Sequence, residues 1–192
     1  MLLPAYEGSI EASENSYQDI KYDNFNNTKL SSVANAKPIS GYNNNLNSLI
    51  GEQLANNRGS HWHLYNMAAL SVEQMLSIIE FNGINGQLIF DQGICKIENI
   101  TNATQAAQTG STAFLGNNSG IAEMTTYIYN NNTYNKTNAG ELAINYRGRE
   151  NIWGNIWKII GGISIKNVNA TTHIPYICNN FNYSNNITND YS

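Results

Sequence analysis

Apolar positions follow a helical period in two places. Leu46, Leu49, Ile50 and Leu54 recur at i, i+3, i+4 and i+8, with Asn43-Asn44-Asn45 before them and Asn56-Asn57-Arg58-Gly59 after. Asparagines cap helix starts and an Asn/Gly cluster stops them, so the spacing predicts a helix over about 43–55. The stronger run is Met67, Leu70, Met75, Leu76, Ile78, Ile79 and Phe81, opened by Asn66 and closed by Asn82-Gly83. Its broad apolar face predicts a core helix in which the methionines fill gaps. Ser71 with Gln74 offers a second capping box one turn later. Glu73 and Glu80, seven apart on this helix, predict a solvated edge.

Elsewhere the pattern is extended or absent. Residues 3–11 predict a short strand, and 12–42 are polar and turn-rich, punctuated by Pro38 and Gly41. In 83–142, Gly83, Gly86, Gly93, Gly110, Gly116 and Gly120 break any long period, which predicts a loop-rich insertion. Within it, Ile128–Tyr134 reads as two extended pieces around an asparagine turn. Residues 144–165 carry the best β pattern. There Trp153 and Trp157 would share one face of an extended chain, continued by Ile159, Gly161, Ile163 and Ile165, with Gly161-Gly162 as a turn or bulge. Residues 174–178 predict one more strand, and 179–192 a polar tail. Together these predict an α+β chain, two helices packed on a small antiparallel sheet, in a single domain over 1–192.

Composition narrows the class. Only 12% of the 192 residues are charged, about half the usual share. Roughly one residue in six is Asn, a type outside the commonest residues of globular proteins. An AT-rich coding sequence, an aggregation-prone tract and a neutral hydrogen-bonding surface all give that excess. The interleaved Tyr, Ile, Leu and Trp argue against disorder of the whole chain. The net charge is -4, and the nearest thing to a basic patch is Arg147 with Arg149, so nucleic acid is not an expected partner. The start, Met1-Leu2-Leu3-Pro4-Ala5-Tyr6, has no basic n-region and no long apolar h-region, so no signal peptide is expected. No stretch approaches the ~18 apolar residues of a membrane span, and no membrane partner is expected.

Candidate chemistry is sparse. Cys95 and Cys178 fit no metal or CxxC spacing and read as small apolar side chains; whether they pair is open. His61 and His63 flank Trp62 and would face one side of a strand, but His173 is distant, and the pair reads as histidines entering a helix. Sequons such as Asn99-Ile-Thr101 and Asn186-Ile-Thr188 follow from the abundance of Asn and Thr. No phosphate loop and no nucleophile elbow is present. The expectation is a non-enzymatic chain with no catalytic residues, no cofactor and no metal.

Two segments carry a resemblance. Gly59-Ser60-His61-Trp62-His63-Leu64-Tyr65-Asn66 leads into the strong helix, and Tyr146-Arg147-Gly148-Arg149-Glu150-Asn151-Ile152-Trp153-Gly154-Asn155-Ile156-Trp157-Lys158 follows much later. This resembles the C-type-lectin-like module of phage structural proteins. There a Trp-His-Leu segment opens the second helix, and a Tyr-Arg-Gly-x-Glu-Asn-x-Trp-Gly-Asn-x-Trp-Lys run follows an insertion. It is more distantly similar to the formylglycine-generating enzymes and to retroelement variable proteins. The resemblance implies a C-type-lectin-like fold and a virion protein of the tail tip or fibre. Its partners would be a host cell-surface glycan or protein and other tail proteins. Trp62, Trp153, Gly154, Asn155 and Trp157 would be structural, with the ligand-binding residues unassigned. Buried indoles at 153 and 157 would each be worth about 3–5 kcal/mol; the alternative is that they stack on a sugar. An enzyme relative of the formylglycine-generating type and a bacterial surface adhesin are the competing readings. Relatives continue past a Tyr-x-Cys-Asn segment, matched by Tyr176-Ile177-Cys178-Asn179, into strands bearing the ligand surface. The expectation is therefore truncation, or a sheet completed by a partner chain in an oligomer.

Overall fold

The computed structural model describes residues 3–11, 28–39, 46–96, 106–129, 132–169 and 171–177. Cys178, the 179–192 tail, both sequons named above and the Asn43-Asn44-Asn45 caps lie outside them. The described chain mixes helices with small antiparallel sheets. Strand β1 (Ser9–Glu11) pairs antiparallel with β2 (Lys29–Ser31). Helix α1 (Ser48–Asn56) starts at Asn47, whose side chain accepts from the Ile50 N–H at 3.0 Å. It drops fully buried Leu54 onto Ile10 and Ile39, with Leu30, Leu46 and Ile50 alongside. Of the four residues in the helical spacing, Ile50 and Leu54 turn inward from the helix, Leu46 packs from ahead of the Asn47 cap, and Leu49 stays exposed.

Helix α2 (Met67–Phe81) has the predicted ends. Asn66 caps it through the Ala69 N–H at 2.9 Å, and Asn82 closes it in the left-handed conformation, φ 54°. Its orientation departs from the expectation: Met67, Leu70 and Phe81 are only partly buried, and the rest of the predicted apolar face is exposed. Ala69 and Glu73 are its buried residues, while Val72, Met75, Leu76, Ile78 and Ile79 lie in water. The physical reason is that the Glu73 carboxylate is buried against an arginine on the body of the protein, whereas Glu80 stays at an exposed edge, as expected, and pairs there. Glu73 takes Arg149 at 2.6 Å and Glu80 takes Arg147 at 2.6 Å. Short helix α3 (Gly86–Ile89) follows, and Phe90 behind it stacks on Phe81 at 4.6 Å.

Described residues of the 83–142 segment supply most of a second core. Ile94, Ala107, Ala122, Tyr127 and Ala143 form the second buried cluster. Around it run β3 (Gly120–Ile121), the hairpin β4 (Thr125–Tyr129) with β5 (Asn132–Lys136), β6 (Ile144–Tyr146) and β7 (Arg149–Glu150). The order β3-β6-β7 makes a three-stranded antiparallel sheet. Hairpin β8 (Ile163–Asn167) with β9 (His173–Ile177) closes the described chain. Alanines and buried polar groups line this second core, so no run of large apolar side chains announces it. Fully buried Thr125, for instance, accepts the Ala143 N–H at 2.8 Å.

The predicted β segment 144–165 is also corrected. It is strand only at 144–146, 149–150 and 163–165, and bends through 151–156. The cause is a set of backward-turned residues: Arg147, Gly148, Asn151, Gly154 and Asn155 all have φ between 49° and 87°. Arg147-Gly148 makes the two-residue turn that suits the twist of a β6–β7 hairpin. Asn tolerates the left-handed region better than other non-glycine residues, which explains the asparagines at 151 and 155.

Candidate functional site

Trp153 and Trp157 part company in this bent segment. Trp153 is partly buried, donates its indole N–H to the Asp91 carbonyl at 3.1 Å and meets Phe90 edge-on at 6.3 Å. Trp157 is 100% exposed, so the expectation of a second buried indole is overturned. With 151–156 bent, residues four apart no longer share a face. Trp153→Ala is expected to lose about 2–3 kcal/mol, below the fully buried range, and Trp157→Ala less than about 0.5 kcal/mol. Chemical denaturation of the two variants side by side measures both.

Gly154 and Asn155 clamp the segment to the second core. The Asn155 N–H donates to the Ile94 carbonyl at 2.8 Å, and the Asn155 side chain accepts the Ala107 N–H at 2.8 Å. It also donates to Glu7, as do Asn151 at 3.3 Å and Lys158 at 3.0 Å. Burial pushes the Glu7 carboxyl above its ordinary value, against the opposing pull of Lys158, Asn155 and Asn151. Nearby, buried Glu150 accepts the Gly110 and Thr112 N–H groups, each at 2.8 Å, and the Thr112 hydroxyl at 2.7 Å. The sequence reading missed Glu7 and Glu150, whose partners lie 38 to 151 residues away.

Trp62 is half exposed, with the Arg58 guanidinium 5.6 Å from its ring centre; it is not a core residue. The loop around it is held by buried Glu52, which contacts His63 Nδ1 at 2.6 Å and accepts the Leu64 N–H at 3.0 Å. His61 and His63 are exposed, and among the described residues no three His, Cys, Asp or Glu side chains converge as metal ligands. Cys95 is an exposed free thiol, not a buried apolar residue. Among the described residues no helix is long and apolar enough to cross a membrane.

A wide polar cleft of about 720 Å³ is lined by Glu80, Asn117, Asn118, Ser119 and Arg147. Three elements meet there: the last turn of α2, the turn before β3 and the β6–β7 turn. The left-handed turn aims Arg147 across at Glu80, and the Tyr146 hydroxyl donates to the same carboxylate at 3.1 Å. Ser119 holds the floor, accepting the Arg147 N–H at 3.3 Å. Asn145 fixes the 116–118 turn through the carbonyls of Gly116 at 3.2 Å and Asn118 at 2.7 Å. The Arg147 guanidinium holds the Glu80 carboxyl below the usual carboxylate range. The cleft therefore presents a neutralised ion pair flanked by amides and a hydroxyl. Behind it, Arg149 lies 4.4 Å from the centre of the Tyr65 ring, and burial followed by the Glu73 contact pushes the Tyr65 phenol up to about 12. Arg147 and Arg149 are thus both committed to carboxylates.

The five residues singled out by resemblance do not line this cleft. Sequence reading identified Glu80 and Arg147 but assigned neither to a site; the Tyr-Arg-Gly turn was the available signal. No protein-family model, no curated protein and no solved structure matches the chain.

Proposed function

We propose that this protein is a non-catalytic binding module of C-type-lectin-like fold, carried on a phage tail, that holds a neutral, hydroxyl-rich host-surface ligand. The observation that carries the binding reading is the cleft at Glu80 and Arg147. Its two charges satisfy each other, so it offers a bare ion nothing. Carboxylate, guanidinium, amide and hydroxyl side by side do match the paired donors and acceptors of a glycan. The fold reading is supported by the order of two longer helices, a long central segment and small antiparallel sheets, and by the turn at Trp153-Gly154-Asn155. The tail assignment rests on the resemblance of the 146–158 run alone. The fully exposed Trp157 supports a stacking contact with a sugar face as a second ligand element, since an indole gains from such a partner.

Binding of neutral polysaccharides from bacterial surfaces, on an array and then by calorimetry, tests this. Arg147→Gly is the variant of choice, because glycine accepts the positive φ at that position. A loss of about tenfold or more with an unchanged melting temperature is expected, about 1.4 kcal/mol of binding. No binding to any neutral polysaccharide, or full binding by Arg147→Gly, would sink the cleft assignment. Oxidase activity on a sulfatase-type peptide that vanished with Cys178→Ser would favour the enzyme reading instead.

A further inference from the structure

The outward face of α2 is the least expected surface of the molecule. Val72, Met75, Ile78 and Ile79 lie on it, and Ile84 and Leu88 extend it beyond the helix end, with exposures up to 90%. Helix α3 packs back against the end of α2. Phe90 stacks on Phe81, and Ile89 packs so closely on Gly83 that a side chain there would sit 2.3 Å from it. These six side chains leave on the order of 700 Å² of aliphatic surface in water, above the ~300–600 Å² of the largest patch on a monomer and near the ~800 Å² each partner gives a standard interface.

We propose that this face joins two copies of the chain in an antiparallel, two-fold dimer. Three features favour a second copy as the occupant. First, the face carries no charge. Both acidic residues of α2 point the other way, onto Arg149 and Arg147, so a copy meeting itself brings no like charges together. Second, Ala68, Val72, Met75 and Ile79 run at alternating four and three spacing, the seam along which helices interlock. Third, the seam is graded. Ala68 and Ser71 are small at the N-terminal half, and Ile78 and Ile79 are bulky at the other. An antiparallel crossing sets small against large on both sides at once, and pairs opposite dipole ends.

Sedimentation equilibrium of the full chain over roughly a hundredfold dilution tests the assembly. The native chain is expected to be dimeric at the concentrated end and to dissociate on dilution. Met75→Glu/Ile79→Glu is expected to be monomeric throughout, with an unchanged far-UV spectrum because both side chains are already exposed. Near the crossing point, Met75→Cys in a Cys95→Ser/Cys178→Ser background is expected to cross-link to its own copy under oxidation. A native chain that stays monomeric, or a dimer that survives the double substitution, overturns the proposal. So does failure of the Met75→Cys chain to cross-link. Mass is read without ligand, and Arg147→Gly is expected to leave the dimer intact, so this result stands apart from the glycan test.

Discussion

Gly154→Ala is expected to destabilise the protein by about 3–4 kcal/mol, close to the whole stability of a marginal domain. Two costs add. At φ 83° an L side chain meets its own backbone, worth about 1–2 kcal/mol. A Cβ would also lie 2.8 Å from the Ile94 carbonyl oxygen and 2.9 Å from the Ile94 nitrogen. Those are main-chain atoms, so no rotamer change relieves the contact, and the overpacking penalty of about 1–3 kcal/mol applies near its upper end. The same shift would stretch the 2.8 Å bond from the Asn155 N–H to the Ile94 carbonyl. Gly148→Ala is the control. Its φ is 87°, but its nearest neighbour is the end of the Asn117 side chain, which can swing away, so about 1 kcal/mol is expected. Urea unfolding of both variants separates conformation from close approach. Equal losses would mean that the 93–94 and 153–155 backbones are not in essential contact.

What was legible in the sequence was local. Asn66 and Asn82-Gly83 fix both ends of α2 because capping needs only neighbouring backbone. The Ile128–Tyr134 hairpin could be read because two extended pieces around an asparagine turn are a local signal, whereas the 144–165 β reading runs straight through the Arg147-Gly148 turn. Cys95, Trp157 and the face of α2 could not. Which side of an amphipathic helix turns inward is ordinarily given by its large apolar residues. Here Arg149, 76 residues from its partner, turns Glu73 inward instead. The second core escaped for a related reason. Ala107, Ala122 and Ala143 are too small to mark a period, and Thr109 and Glu150 are buried as well because main-chain groups from distant loops satisfy them. The candidate cleft inherits the same difficulty, since its members come from three separate stretches of chain.

Lys158→Met is expected to cost about 3–5 kcal/mol at neutral pH, the loss typical of breaking a buried ion pair from one side. The Glu7 side chain is 5% exposed and its Lys158 partner 21%, at 3.0 Å. Removing the ammonium leaves a carboxylate in the interior with only the Asn151 and Asn155 amides to hold it. The pH dependence follows from the raised Glu7 value. A carboxyl whose folded pKa lies above its unfolded one contributes stability that is fully present below the unfolded value and is lost as pH rises through the folded value. In Lys158→Met the strongest opposing influence is gone, so the folded value climbs further and that loss deepens. At acid pH Glu7 is protonated in both proteins, and the difference between them shrinks toward the small packing effect of the new side chain. Equilibrium unfolding at pH 4 and at pH 7 reads this directly: a deficit that grows with pH is expected, and Glu7→Gln in the same background should remove most of the growth. A deficit of equal size at both pH values would show that Lys158 contributes through the packing of its alkyl stem and not through the charge of Glu7.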